Sequence, residues 1–157
     1  MSKSETDQIL GCLTTGVYIL TLGSGEQATG MLTSWVMQAG FEPPMVAAAL
    51  KQGRATTDRL SAGEGFVLNV VGESQTSLFK HFGRGFGPGE PAFEGLGIHL
   101  SSTGIPILNE SVGHLECEPA GHVDSADHRL FLARVVQGAY QNGQKPYVHI
   151  RKSGAQY

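Results

Sequence analysis

No uninterrupted apolar run in this sequence approaches the ~18 residues that a membrane-spanning helix needs. The opening stretch MSKSETDQIL has one lysine and no apolar segment of the secretory type, so a soluble, cytoplasmic protein is expected. Clustered cations are also scarce. The net charge is −3 and no basic run extends beyond Arg151-Lys152. That argues against a nucleic-acid surface, which binds by placing many Lys and Arg side chains on phosphates. The only cysteines, Cys12 and Cys117, are too few and too far apart for a disulfide scaffold, and they read as buried free thiols in a reducing compartment.

Glycine, by contrast, is plentiful. It fills 22 of 157 positions, about 14% and roughly twice average usage, scattered without period, which predicts a turn-rich, mainly β architecture. The length suits one domain spanning residues 1–157, large enough to hold a core without disulfides or metal. Neither a repeat nor a linker divides it.

Gly16 to Leu22 is apolar and β-branched on both alternating faces, which predicts a strand buried on two sides. Gly23-Ser24-Gly25 ends it, Ala28 to Val36 reads as its hairpin partner, and Met45 to Leu50 as a third strand. Thr56 or Thr57 is placed to cap a short helix that Gly63 or Gly65 stops. Phe66 to Val71 is the next strand. Ser74 can cap a second helix with Leu78, Phe79 and Phe82 on one face. Residues 83–97 form a long Gly/Pro loop, a length typical of lids and binding loops. The remainder reads as a meander with strands over Ile98 to Ser101, Gly113 to Val123 and Leu130 to Tyr140, and Asn142-Gly143 is a hairpin signal before Tyr147 to Ile150. This order predicts a Greek-key barrel, closed or partly open, with short helices at its rim. A doubly wound dinucleotide fold fits badly, since strands do not alternate regularly with crossover helices, and Gly83-Arg84-Gly85, followed by Gly87, comes after a helix and sits in a loop.

The run ATGMLTSWVMQAGFEPPMVAAAL from Ala28 to Leu50 carries the most chemistry. An apolar strand stops at Thr33 and Ser34 beside the lone Trp35, and Pro43-Pro44 fixes the return. Hydroxyls and free backbone donors at a strand end suit a flat, polar-edged ligand, while an aromatic and small side chains close on its rings. The same hydroxyls also suit a plain solvent face. Lys51 to Thr57 (KQGRATT) offers a phosphate the Arg54 cation, the Thr56 and Thr57 hydroxyls and helix N–H groups, or else is an ordinary capped helix. Asp127-His128 stands where a strand begins, either as an assisting polar pair or as a turn histidine anchored by a carboxylate. Cys117, His122, Asp124, Asp127 and His128 include every ligand type for zinc or iron. Positions 117, 122 and 128 mix odd and even, however, and no paired motif repeats, so no metal is expected.

With TGMLTSWV, FVLNVV, the KHFGRGFGPGE loop, HLEC and the segment YVHIRKSGAQY at residues 147–157, the chain resembles the flavin reductase-like family of FMN-binding split barrels. Within it, the similarity is to the C-terminal flavin reductase module of the flavodiiron proteins of oxygenic phototrophs, and it covers nearly the whole chain. The resemblance implies a flavoprotein oxidoreductase that binds FMN, takes hydride from NADH or NADPH, and passes electrons to flavin or a protein acceptor. A flavin-holding electron carrier without its own nicotinamide site is the alternative. It also implies a homodimer, with Thr33, Ser34, Trp35 and Val36 against the flavin ring edge and ribityl chain. Lys51, Arg54, Thr56 and Thr57 then fall near the FMN phosphate, and His128 near the nicotinamide pocket as the candidate catalytic group. Arg84, Arg151 and Lys152 are the candidate partners for a 2′-phosphate on the donor.

Overall fold

A computed structural model describes residues 4–141 and 143–157. In chain order it contains α1 (Glu5–Gly11), β1 (Tyr18–Leu22), β2 (Thr29–Thr33), β3 (Val36–Phe41), β4 (Pro44–Lys51), α2 (Ala55–Ser61), β5 (Phe66–Val70), α3 (Ser77–Gly83), β6 (Ile98–Leu100), β7 (Pro106–Leu108), β8 (Gly113–Ser125) and β9 (His128–Tyr140). Seven of the strands form one antiparallel sheet in the order β2-β1-β5-β8-β9-β4-β3, and β6 pairs with β7. The two edge strands of the large sheet, β2 and β3, are separated in sequence by only Ser34 and Trp35. A sheet whose edges are two residues apart has to curl until they meet, and the result is a split barrel with its seam at that corner. The fold is mainly β with short helices, as the patterning predicts.

β1 is buried on both faces, and each face serves a different core. Leu20 and Leu22 point into the barrel with Val46, Leu50, Phe66, Leu68 and Phe131, while Ile19 packs with Val17, Val71, Leu78, Phe82 and Leu108 under α3 and the glycine-rich loop. The buried polar groups between them are satisfied, as burial requires. Asn69 donates from Nδ2 to the Ile19 carbonyl at 2.9 Å and accepts the Leu108 N–H at 2.9 Å, and Thr21 donates to the Pro106 carbonyl at 2.6 Å. Gly30 of β2 lies under α3, and a Cβ there would stand 2.8 Å from the Phe82 ring. This close approach is what joins α3 to the sheet.

Several boundaries differ from the sequence reading. The strand read over Ala28 to Val36 breaks at Ser34, and Val36 opens β3 on the opposite edge of the sheet. Arg54, in extended conformation, caps α2 in place of Thr56 or Thr57, because the Thr57 hydroxyl is turned inward to donate to the Lys51 carbonyl at 2.7 Å. α3 begins at Ser77, and Ser74 donates instead to Gln144 at 2.6 Å. Residues 147–150 form no strand: His149 makes one isolated bridge, opposite Thr15, and Pro146 just before them makes another, opposite Gly72. Asn142 lies outside the described residues. Cys117 is a buried free thiol, which burial and the neighbouring Glu116 push up to about 12. Cys12 is also free but is exposed, since α1 leaves it at its outer end. Helix α1, capped by Ser4 accepting the Asp7 N–H at 3.0 Å, and strand β7 were not anticipated. Among the described residues no helix is long and apolar enough to cross a membrane.

Candidate functional site

The seam corner is fixed from two directions. The Trp35 carbonyl accepts the Ala49 N–H of β4 at 2.9 Å, and the Ser34 carbonyl accepts the Val36 N–H at 3.0 Å. At the far end of β4, Lys51 stands opposite His128 in the β4–β9 register. Gln52 then ties the β8–β9 turn down, its N–H bonding the Asp127 carbonyl at 2.9 Å and its Nε2 the carbonyls of Ala126 at 3.3 Å and His128 at 3.0 Å. The non-glycine positive φ of Ala126, 53°, belongs to this tight turn. The hairpin tip is thereby held against the tryptophan.

Three rings gather there. The Trp35 and His128 centroids are 4.6 Å apart, Trp35 and Tyr157 5.2 Å, and His128 and Tyr157 5.7 Å. His128 Nδ1 lies 2.8 Å from Asp127 Oδ1, and its Nε2 is hydrogen-bonded to the Tyr157 hydroxyl. An ionised carboxylate can only accept, so Nδ1 carries the proton, and when the imidazole is neutral Nε2 accepts from the Tyr157 hydroxyl. The hydrogen bond from His128 holds the Asp127 carboxyl below the usual carboxylate range, while partial burial raises the Tyr157 phenol. The Arg151 guanidinium lies 5.1 Å above the Trp35 ring and donates to the Leu10 carbonyl at 3.1 Å. Its Nε is buried with no hydrogen-bond partner among the described residues.

Two cavities open beside this cluster. One, of about 380 Å³, is lined by Met31, Leu32, Thr33, Ser34, Lys51, Arg54, Phe79, Phe82, His149 and Tyr157 among others. The second, of about 740 Å³, is lined by residues 26–31 of the β2 approach, by Arg54, Ala55, Thr56 and Arg59, and by residues 83–89 of the glycine-rich loop. They share Met31, Arg54, Gly83 and Gly85. Both volumes lie in the range of small-molecule sites, roughly 300–1,000 Å³. Hydroxyls and apolar rings thus line one end, and the Arg54 cation stands at the junction. Among the described residues Arg59 is paired with Glu64 at 2.8 Å and Arg84 with Glu90 at 3.6 Å, whereas neither Lys51 nor Arg54 has an ion-pair partner. Such a space suits an elongated anion with a flat aromatic end.

Of the sequence candidates, Thr33, Ser34, Lys51 and Arg54 line the first cavity, and Arg54 and Thr56 the second. Trp35 and His128 stand behind Tyr157. Val36 packs against the barrel core, and Thr57 is buried and bonded to the Lys51 carbonyl, so neither reaches a cavity wall. The residues not individually anticipated are Met31, His149 and Tyr157. Tyr157 belongs to a segment whose sequence stood out, but nothing in its spacing signals that it meets His128, 29 positions earlier. The possible metal set is dispersed: Asp124 bonds Arg129 at 2.6 Å, Asp127 bonds His128, His122 lies against the Phe131 ring and Cys117 is in the core.

Residues 10–156 match the family described as the flavin reductase like domain. Diflavin flavoprotein A 1 of Synechocystis sp. is 36% identical over 156 residues, which is 98% of this chain and 27% of that protein. The chain therefore spans about a quarter of the length of such curated relatives. Among solved structures, the Streptomyces globisporus NADH:FAD oxidoreductase SgcE6 superposes with a TM-score of 0.83 at 25% identity, covering 94% of this chain and 86% of that one. The styrene monooxygenase flavin reductase of Pseudomonas putida gives 0.80 at 25% identity, with 95% and 94% covered.

Proposed function

Given that the chain belongs to the flavin reductase-like family, we propose that it is an FMN-binding NAD(P)H:flavin oxidoreductase that passes electrons on to flavin or a protein acceptor. The observation that carries this reading is the pair of joined cavities at the barrel seam, with hydroxyls at one end and Arg54 at the junction. Bound there, FMN would supply a ring that takes up hydride from a stacked nicotinamide. The donor set fits that group. Thr33, Ser34 and the adjoining backbone face the ring end, and Trp35 closes the corner behind them. Arg54, Lys51 and Thr56 offer a phosphate a hydroxyl and two cations that have no ion-pair partner among the described residues. Thr57 acts one step back by fixing the Lys51 carbonyl, and Val36 by anchoring the corner to the core.

Hydride transfer needs no acid or base, so the role assigned to His128 is positional: with Asp127 it sets the wall of the ring end. We read residues 1–157 as a single cytoplasmic domain that works as a homodimer. Met37 and Phe41 on β3, with Leu132 and Val136 on β9, leave apolar side chains exposed on the strands flanking β4, a surface suited to a second copy.

The test is stopped-flow mixing of FMN-loaded protein with NADH and with NADPH. Rapid bleaching of the flavin by either donor is the expected result. Bound FMN that neither donor reduces would favour the electron carrier, and failure to retain FMN would remove the flavin reading altogether.

A further inference from the structure

The Tyr157 phenol has one hydrogen bond among the described residues, to His128, and its side chain forms part of the ring-end cavity wall. The two sides of that bond are held very differently. His128 is fixed by its rung opposite Lys51, by Asp127 on Nδ1 and by Gln52 on its carbonyl. Tyr157 lies in an irregular segment whose backbone is tied at Gly154, by its N–H to the Asp7 carbonyl at 2.6 Å, at Ala155, by its N–H to the Ser153 hydroxyl at 3.1 Å, and more weakly at Gln156, whose carbonyl accepts from Arg151 at 3.4 Å. The residue is 60% exposed. Its ring leans on Trp35 at 5.2 Å in a tilted contact, not an interlocked one.

We propose that Tyr157 is a movable aromatic cover on the ring end of the flavin pocket, latched by His128 and displaced when the donor's nicotinamide ring takes its place. The inference rests on the flavin reading above. A planar ring arriving at this position trades one aromatic contact for another, so displacement exchanges stacking without net loss. The latch sets the cost. A site competent only when the cover is open binds its donor more weakly by the open fraction, so a cover closed about nine-tenths of the time weakens apparent donor affinity about tenfold. The same closed state shields a reduced ring from solvent between turnovers.

The experiment compares the wild type, Tyr157→Phe and Tyr157→Ser, each loaded with FMN. NAD⁺ affinity is titrated through the emission of Trp35, the lone tryptophan, and KM and kcat for the nicotinamide donor are measured in parallel. Tyr157→Ser is expected to bind NAD⁺ about tenfold more tightly and to lower KM without raising kcat, because product leaves more slowly. Tyr157→Phe keeps the ring but loses the latch, and falls between the two. Unchanged or weaker NAD⁺ binding in both variants, with FMN still bound, overturns the cover and leaves the flavin reading standing. A wild type that takes up no FMN overturns both.

Discussion

Lys51 and His128 face each other across the β4–β9 ladder. One rung of the barrel thus carries a cation that lines the ring-end cavity and an imidazole whose partner, Tyr157, lines the same wall. The placement follows from register, since a one-residue slip of either strand would send its side chain to the other face and part the pair. Gln52, bonded to three successive carbonyls of the β8–β9 turn, is what prevents that slip.

His128→Ala is expected to leave FMN bound while slowing reduction at saturating donor. The imidazole fixes the wall against which the donor stacks, and a misplacement of about 1 Å can cost on the order of 100-fold in rate. Because the variant also frees Tyr157, donor KM should not rise. Fluorescence quenching gives the FMN affinity and stopped-flow absorbance the rate. Loss of FMN would make His128 a cofactor contact, and a wild-type rate would make the turn purely structural.

Arg54→Ala is expected to weaken FMN binding by about 1.5–3 kcal/mol, the value of a charge-assisted hydrogen bond, and to leave riboflavin binding nearly unchanged. Arg54 stands where the two cavities join and has no ion-pair partner among the described residues to hold it elsewhere. Equal losses for both ligands would take it away from the phosphate.

The fold was legible wherever a local pattern decided it. β1 and β5 read as strands because apolar residues fill both faces, and the Gly/Pro stretch from Gly83 to Gly97 read as a loop because nothing in it can propagate a helix or strand. The split at Ser34-Trp35 was only half legible: Thr33 and Ser34 mark the end of an apolar strand, but the pattern carries the hairpin strand on to Val36, and only the closure of the sheet puts Val36 on the opposite edge. The site divides in the same way. Thr33, Ser34, Lys51 and Arg54 belong to short contiguous motifs, whereas the meeting of Trp35, His128 and Tyr157 is made by three distant segments and has no local signature. Thr57 shows the opposite failure: its type suited a cap or a phosphate, and tertiary structure spent its hydroxyl on the Lys51 carbonyl.

Chelators are expected to leave both folding and flavin reduction unchanged. Among the described residues no three His, Cys, Asp or Glu side chains converge as a metal site would require. Elemental analysis showing stoichiometric zinc or iron, lost together with activity, would contradict this.

Thr57→Val keeps the volume of a side chain that is 1% exposed but removes its donor to the Lys51 carbonyl. It should destabilise the protein by about 0.5–1.5 kcal/mol, the net worth of an ordinary hydrogen bond, because the partner carbonyl belongs to an exposed residue. Denaturant unfolding measures the loss. A wild-type midpoint would show that water reaches the freed carbonyl.

Acid dependence should separate Asp127 from an ordinary surface carboxylate. Its folded-state pKa is lowered, first by the hydrogen bond from His128 and then by the nearby charges of His128 and Lys51. A carboxyl depressed in the folded state contributes stability that is fully present above its unfolded value, about 3.9, and that is lost as pH falls through the lower folded value. Asp127→Asn should therefore be less stable than the wild type at neutral pH, with the gap closing as the pH drops below the usual carboxylate range. Because the carboxyl is solvent-exposed, the gap should be small and should shrink with added salt. Trp35, packed on His128 at 4.6 Å, reports the same event locally: its emission should change over that acid range in the wild type and not in the variant. Identical acid titrations of the two proteins would mean that the Asp127–His128 bond does not persist in solution.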